Sequence, residues 1–264
     1  MVFCLFIGNA QAQSPHFWDG IEAFDGPTDE NPILASQIDF YFDNMVSPLP
    51  DSIKLEINRL VELTDGNSAL RDFILWHLLE RYRHPEYMSQ DQVFVFLYDE
   101  YFSKLEIKDL YSENLALIQE KAERLRRLAL FHPAPEIHIE GIDLQTIESE
   151  YTVLFFYDHD CEVCRQEMQD LDSVCAIHPE IMVLAIDMNF DSSRDSSGGF
   201  GIRPQGNGDL ESPIQHRRIA NPSELLLLSD AYDIETTPLL YILDRDKRII
   251  AKKIQARQIP LVLN

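Results

Sequence analysis

Two cysteines with two residues between them, Cys161-Glu-Val-Cys164, are the residues whose type and spacing point most directly to chemistry. They follow a continuous apolar run, Thr152-Val-Leu-Phe-Phe-Tyr157, and a polar turn, Asp158-His-Asp160, and they open a stretch (161–177) with helical patterning. A thiol at a helix N-terminus meets the positive end of the macrodipole and unpaired backbone N–H groups, which favour the thiolate and hence attack on a disulfide. Cys161 is therefore the expected nucleophile. Cys164 returns to the same helix face within reach of a disulfide, and is the expected resolving thiol that attacks the mixed disulfide and releases product. The charges of Asp158, Asp160 and Glu162 oppose the Cys161 thiolate, and a protonated His159 offsets them. That balance points to a reductant or isomerase rather than a strong oxidant.

The other cysteines fit no such scheme. Cys175 lies about 16 Å further along the same helix, beyond the roughly 7 Å between Cα atoms that a disulfide spans. It is expected to be a small buried apolar residue. Cys4 falls in an N-terminal segment expected to be removed, and the remaining odd count does not look like a structural disulfide framework. A metal site built from Cys161, Cys164 and His159 or His178 is the alternative chemistry. One C-x-x-C is only half a metal knuckle, however, and no second pair completes it. No metal and no cofactor are expected.

The elements that position the dithiol belong to a mixed α/β sheet. Thr152–Tyr157 has the continuous hydrophobicity of a strand buried on both faces, as does Ile181–Ile186. Leu239–Leu243 and Arg248–Ala251 look like a hairpin across Asp244-Arg-Asp-Lys247, and Glu136-Ile-His-Ile-Glu140 alternates before a turn at Gly141. Strands interleaved with helices argue for such a sheet. The stretch from Asp191 to Pro213, with its glycines and prolines, is expected to be a loop, because its Gly-x-Gly lacks the Lys-Ser/Thr and the helix start of a phosphate cradle.

Residues 20–132 carry a different period. Between Pro32 and about Phe131, apolar residues return at three and four: Ile53, Ile57, Leu60 and Val61; then Leu70, Phe73, Ile74, Trp76, Leu78 and Leu79; then Val93, Phe94, Leu97 and Tyr101; then Leu115, Ile118, Ala122, Leu125 and Leu128. This is an all-α domain. Trp76 and His77 belong to its core and flank, and Glu120–Arg127 is expected to be a solvated face because opposite charges alternate there at helical spacing. The helical part offers no catalytic constellation. His132-Pro-Ala-Pro135 breaks the pattern, placing the domain boundary there and the second domain over 133–264.

With 22 basic and 45 acidic residues, a net charge of −23, the chain lacks the basic face that nucleic acid or an anionic membrane surface requires. No stretch approaches the 18 or so apolar residues of a membrane span. Residues 1–12 have a short apolar run ending in Ala10-Gln11-Ala12, a small-x-small signal-peptidase pattern. A periplasmic or otherwise extracytoplasmic protein is expected. No Lys or Arg precedes the apolar run, so the natural start is expected to lie upstream.

The block from Pro135 to Ala256 resembles the thioredoxin superfamily and, within it, the periplasmic TlpA- and ResA-like thiol-disulfide oxidoreductases. The resemblance rests on Val153-Leu-Phe-Phe-Tyr157 leading into Cys161-x-x-Cys164, and on Tyr232-Asp-Ile-Glu-Thr-Thr-Pro238-Leu-Leu-Tyr241. It implies a thioredoxin-like sheet flanked by helices, protein disulfides as substrates, and a membrane-linked thiol donor. It also implies a cis bond before Pro238, with Thr237 and Pro238 contacting substrate backbone. A helical part ahead of such a domain is similar to multidomain thioredoxin-like proteins of Bacteroidetes and leaves room for an unknown protein partner. The sequence departs from the family at Asp160, where an aromatic residue is usual, in the Gly-rich stretch, and in a shortened last helix near Gln258 to Asn264. A peroxidase of the same fold needs Thr and Pro where Asp158 and Leu154 stand. A non-enzymatic binding or scaffold protein remains the other reading, because fold does not fix function.

Overall fold

The computed structural model describes residues 17–19, 21, 31–104, 107–108, 110–139, 142–189 and 213–263. The signal-like segment 1–12 with Cys4, the turn at Gly141, and the Gly-rich stretch up to 212 lie outside the described residues. The chain divides into two compact units, Met1–Gln119 and Glu120–Asn264.

The first unit is helical. It contains α1 (Pro32–Asn44), α2 (Pro50–Glu62), α3 (Ser68–Arg81), α4 (Asp91–Leu97) continuing into a π-turn at Tyr98–Phe102, and the start of α5 (Ser112–Arg127). Proline at the first helical position starts α1 and α2, where its missing N–H costs nothing, and the Asn31 and Asn67 side chains cap α1 and α3. The expected apolar stripes are buried, with Ile38, Ile57, Leu70, Ile74, Leu78, Phe94 and Leu97 all but sealed from solvent. Buried polar groups are answered within the unit: Tyr41 donates to Glu56 at 2.7 Å, and Asp72 holds Arg71 at 2.7 Å and the Lys108 N–H at 2.8 Å. His77 Nε2 lies 3.0 Å from Asp39, and Trp76 packs edge-on against Phe102, both as core and flank.

The second unit is built on a five-stranded sheet. Its elements are β1 (His138–Ile139), β2 (Ile142–Asp143), β3 (Tyr151–Tyr157), α6 (Glu162–Ile177), β4 (Ile181–Asp187), β5 (Ile214–Arg218), α7 (Pro222–Tyr232), β6 (Leu239–Leu243), β7 (Ile249–Lys252) and α8 (Ile259–Val262). The strand order is β5-β4-β3-β6-β7, parallel from β3 outward to β5 and antiparallel through β6 and β7, while β1 and β2 form a separate small hairpin. A parallel β3-α6-β4 crossover followed by an antiparallel hairpin is the thioredoxin-like arrangement. Alternate residues of β3 go to opposite faces, so both faces are buried. Leu154 and Phe156 enter one core with Leu184, Ile186, Tyr241, Leu243 and Tyr232.

The proline segment 132–135 is bonded within the second unit: Phe131 N–H donates to Ile249 O at 2.7 Å, and Ala134 N–H to Lys247 O at 2.8 Å. One expectation meets a different structure. The charged run Glu120–Arg127 is not simply a solvated face. Lys121 is 5% exposed, and its Nζ lies 2.8 Å from Asp233 Oδ2 and 2.6 Å from Glu235 Oε1. Arg124 joins the same acidic end of α7 through Asp230 at 3.0 Å and Asp233 at 3.4 Å. Spacing along one helix identified the charges but could not show which of them face carboxylates from another.

Candidate functional site

The dithiol sits where β3 ends. After Tyr157 the chain turns through Asp158, whose Oδ1 accepts the Asp160 N–H at 2.8 Å and the Asn189 Nδ2 at 2.9 Å, so the side chain itself folds the turn. The Cys161 N–H donates to Asp158 O at 3.1 Å. Cys161 has extended backbone angles and is the N-cap of α6: its Sγ accepts the Cys164 N–H at 3.3 Å, in the place usually taken by a Ser or Asp oxygen. The nucleophile expected from the sequence thus lies at a helix N-terminus, with a backbone donor on its sulfur.

The two thiols are unlike. Both are free, but Cys161 is half-buried while Cys164 is 1% exposed. The Cys164 thiol is pushed up to about 11, chiefly by burial and also by its hydrogen bond to Cys161 and the nearby sulfur, against hydrogen bonds from the Asp158 backbone and the Thr237 side chain that pull it down. Thr237 is therefore within reach of the dithiol. The Thr237–Pro238 peptide bond is cis, and both residues are half-buried. Cys175 is buried on α6, where burial and then the charge of Asp172 push it up to about 11.

The segment that carries Thr237 and Pro238 is anchored from behind. Asp233 caps α7 in the left-handed region at φ 53° and is 4% exposed, and it receives Lys121, Arg124 and, at 3.5 Å, Lys253. Asn or Asp adopts this conformation more readily than most side chains. Tyr241 Oη donates to Tyr232 O at 2.6 Å, and Tyr232 Oη donates to Pro135 O.

Sequence reasoning missed a second polar group. His159 Nδ1 lies 2.8 Å from Asp187 Oδ2, at the end of β4, and the Asp187 side chain is 3% exposed. The parallel register pairs Tyr157 with Asp187, which places the carboxylate beside the turn that leads into Cys161. Arg218 Nε approaches Asp187 Oδ2 at 3.5 Å from β5. The Tyr157 hydroxyl faces His216 Nδ1 at 3.4 Å; burial, then Asp187, pushes the phenol well above its usual range, and burial holds His216 low. An Asp closing an apolar strand that runs parallel to the one before the cysteines was the available signal. Among the described residues no group of three or more His, Cys, Asp or Glu is arranged to hold a metal ion, and His178 Nδ1 is engaged by Glu180 at 2.9 Å.

No protein-family model matches the chain, and no curated protein matches it. Solved structures do. A thioredoxin-like protein from Bacteroides caccae is similar over 94% of this chain and 90% of its own, at 14% identity and a TM-score of 0.68. The thioredoxin domain of a thiol-disulfide oxidoreductase from Bacteroides vulgatus matches 51% of this chain and 96% of its own, at 15% identity and a TM-score of 0.39. A thiol:disulfide interchange protein from a Bacteroides species matches 52% of this chain and 88% of its own, at 14% identity and a TM-score of 0.39. The first of these shows the fold along nearly the whole chain, a helical part followed by a thioredoxin-like domain. No described helix is long and apolar enough to cross a membrane.

Proposed function

We propose that the protein is a thiol-disulfide oxidoreductase acting on protein disulfides, as a reductant or isomerase, outside the cytoplasm. The observation that carries this reading is the inequality of the two thiols: Cys161 half-buried at the N-cap of α6, and Cys164 sealed beside it with its proton held by burial up to about 11. In the first step the Cys161 thiolate attacks one sulfur of the substrate disulfide. The Cys161–substrate S–S bond forms as the substrate's own S–S bond breaks, and the departing thiolate takes a proton. Cys164 then gives up its proton and attacks Cys161 Sγ, releasing the second substrate sulfur as a thiol. The substrate disulfide is reduced by two electrons and the protein dithiol is oxidised by two.

Cys161 thus attacks and Cys164 resolves, while Thr237 and Pro238 receive the substrate backbone beside the sulfurs. A membrane-linked thiol donor returns the pair to the dithiol, and the helical unit docks a protein partner. Extracytoplasmic residence rests on the Ala10-Gln11-Ala12 pattern. The test is trapping. Cys164→Ser should accumulate a mixed disulfide with a reducible protein substrate such as insulin, and Cys161→Ser should accumulate none. A Cys161→Ser protein that still reduced insulin would overturn the assignment.

A further inference from the structure

Resting on the reading of Thr237 and Pro238 as the residues that receive substrate backbone, we propose that Lys121 is the positioning residue of the segment that carries them, and so sets how tightly protein disulfides bind beside the dithiol. Residues 234–238 join α7 to β6 and belong to neither. A connection outside helix and sheet moves unless other groups hold it. Lys121 holds this one at two points. Its Nζ donates to both oxygens of Asp233, Oδ1 at 2.9 Å and Oδ2 at 2.8 Å, and to Glu235 Oε1 at 2.6 Å. Asp233 is the cap of α7, and Glu235 stands two residues before Thr237. One ammonium therefore ties the end of the helix to the chain that leads into the cis Thr237–Pro238 bond.

Stability alone does not account for this arrangement. A buried ion pair adds little net stability over apolar side chains of similar volume, and its best-attested use is to specify one geometry. The Lys121 side chain is 6% exposed and that of Asp233 1%, whereas that of Glu235 is 42% exposed, so the ammonium reaches from a sealed position to a carboxylate at the surface. Asp233 also meets Arg124 Nε at 3.4 Å and Lys253 Nζ at 3.5 Å, and keeps cations beside it without Lys121. What Lys121 adds is the tie from the cap to Glu235. The chain is fixed on the other side of the cap as well, where Tyr241 Oη donates to Tyr232 O at 2.6 Å. At the far end of the segment, Thr237 comes within reach of Cys164. A displacement of the segment thus moves the groups that receive substrate relative to the sulfurs, while the sulfurs themselves stay on β3 and α6.

The experiment is the kinetics of insulin reduction by the full-length protein with dithiothreitol as electron source, beside the rate at which the reduced protein reacts with hydroxyethyl disulfide, which has no peptide backbone for the segment to receive. Glu235→Ala cuts the tie at a surface side chain and leaves the Lys121–Asp233 pair in place. It should raise the KM for insulin roughly three- to tenfold, the cost of ordering on binding a segment no longer held beforehand, with kcat and the hydroxyethyl disulfide rate unchanged. Lys121→Met should raise the KM at least as much. A KM for insulin equal to the wild type in Glu235→Ala overturns the proposal, and so does an equal loss of rate with both substrates, which would place the effect at the dithiol. Should Lys121→Met fail to fold, Glu235→Ala decides alone. A wild-type protein that reduces neither disulfide refutes the functional reading and this proposal with it. One that reduces both, with the KM of Glu235→Ala unchanged, refutes only this proposal.

Discussion

Two charged side chains are buried at opposite ends of the same sheet, and they are answered differently. At the end of β4, Asp187 meets ionisable partners, His159 at 2.8 Å and Arg218 at 3.5 Å, beside the turn into Cys161. At the start of β3, Lys247 is 4% exposed and its Nζ meets the hydroxyl of Thr152 at 2.8 Å, with burial pushing the ammonium down. It lies at the edge of an open depression of about 980 Å³ lined also by Glu148, Glu150, Asp244 and Asp246. A buried charge among titratable partners can shift a proton; one fixed to a hydroxyl in a hairpin turn holds the turn. The difference separates the end of the sheet that carries the dithiol from the end that carries the β6–β7 turn.

The sharpest break between the two ends is kinetic. Cys161→Ser should abolish insulin reduction, while Lys247→Met at the far end should leave its rate unchanged, because only the first removes a reacting atom. A far-end substitution that slowed exchange without unfolding the protein would dissolve the distinction.

Next in size is the buried pair behind the Thr237–Pro238 segment. Lys121 and Asp233 have side chains 6% and 1% exposed. Lys121→Met strands Asp233 with less charge compensation and should cost about 3–5 kcal/mol of stability, the usual cost of breaking a buried pair from one side. Lys247→Met, which strands no carboxylate, should be neutral to stabilising. Chemical denaturation of both variants checks the contrast, and equal losses would contradict it.

The smallest effect is a pH dependence. Cys164 and Cys175 move from an ordinary thiol value of 9.0 to about 11 in the fold. Between those values the folded protein holds protons that the unfolded chain has lost, so the stability of the reduced protein should fall as pH rises from about 9 to about 11 and level off above. Lys247, lowered by burial, works in the opposite sense below its ordinary value of 10.5. The comparison is therefore made against Cys164→Ala/Cys175→Ala, which should lack the decline. Equal slopes in the two proteins would sink the prediction.

How much of this was visible in the residues alone depends on what a pattern can encode. Thr152–Tyr157, Ile181–Ile186 and the hairpin around Asp244–Lys247 were legible, because a strand buried on both faces must be apolar throughout and its ends need turn residues. The edge strand β5 was not, since Ile-Gln-His-Arg-Arg is buried chiefly at one residue and carries no run or alternation. That Cys161 and Cys164 share the first turn of one helix was legible from their spacing. His159 was noticed only for its sequence position, because its partner Asp187 comes from another strand and the pairing depends on a register no local pattern states. Lys121 was misjudged for the same reason, its partners Asp233 and Glu235 being supplied by the cap of α7 and the segment that follows it.

Whether Cys161 and Cys164 form a working redox pair tuned as a reductant or isomerase is decided by the equilibrium reduction potential of that pair in dithiothreitol and glutathione buffers. A reversible two-electron couple near the thioredoxin value of about −270 mV is expected. A potential near the roughly −120 mV of a strong disulfide donor would contradict the direction assigned, and the absence of any reversible couple would contradict the pair itself.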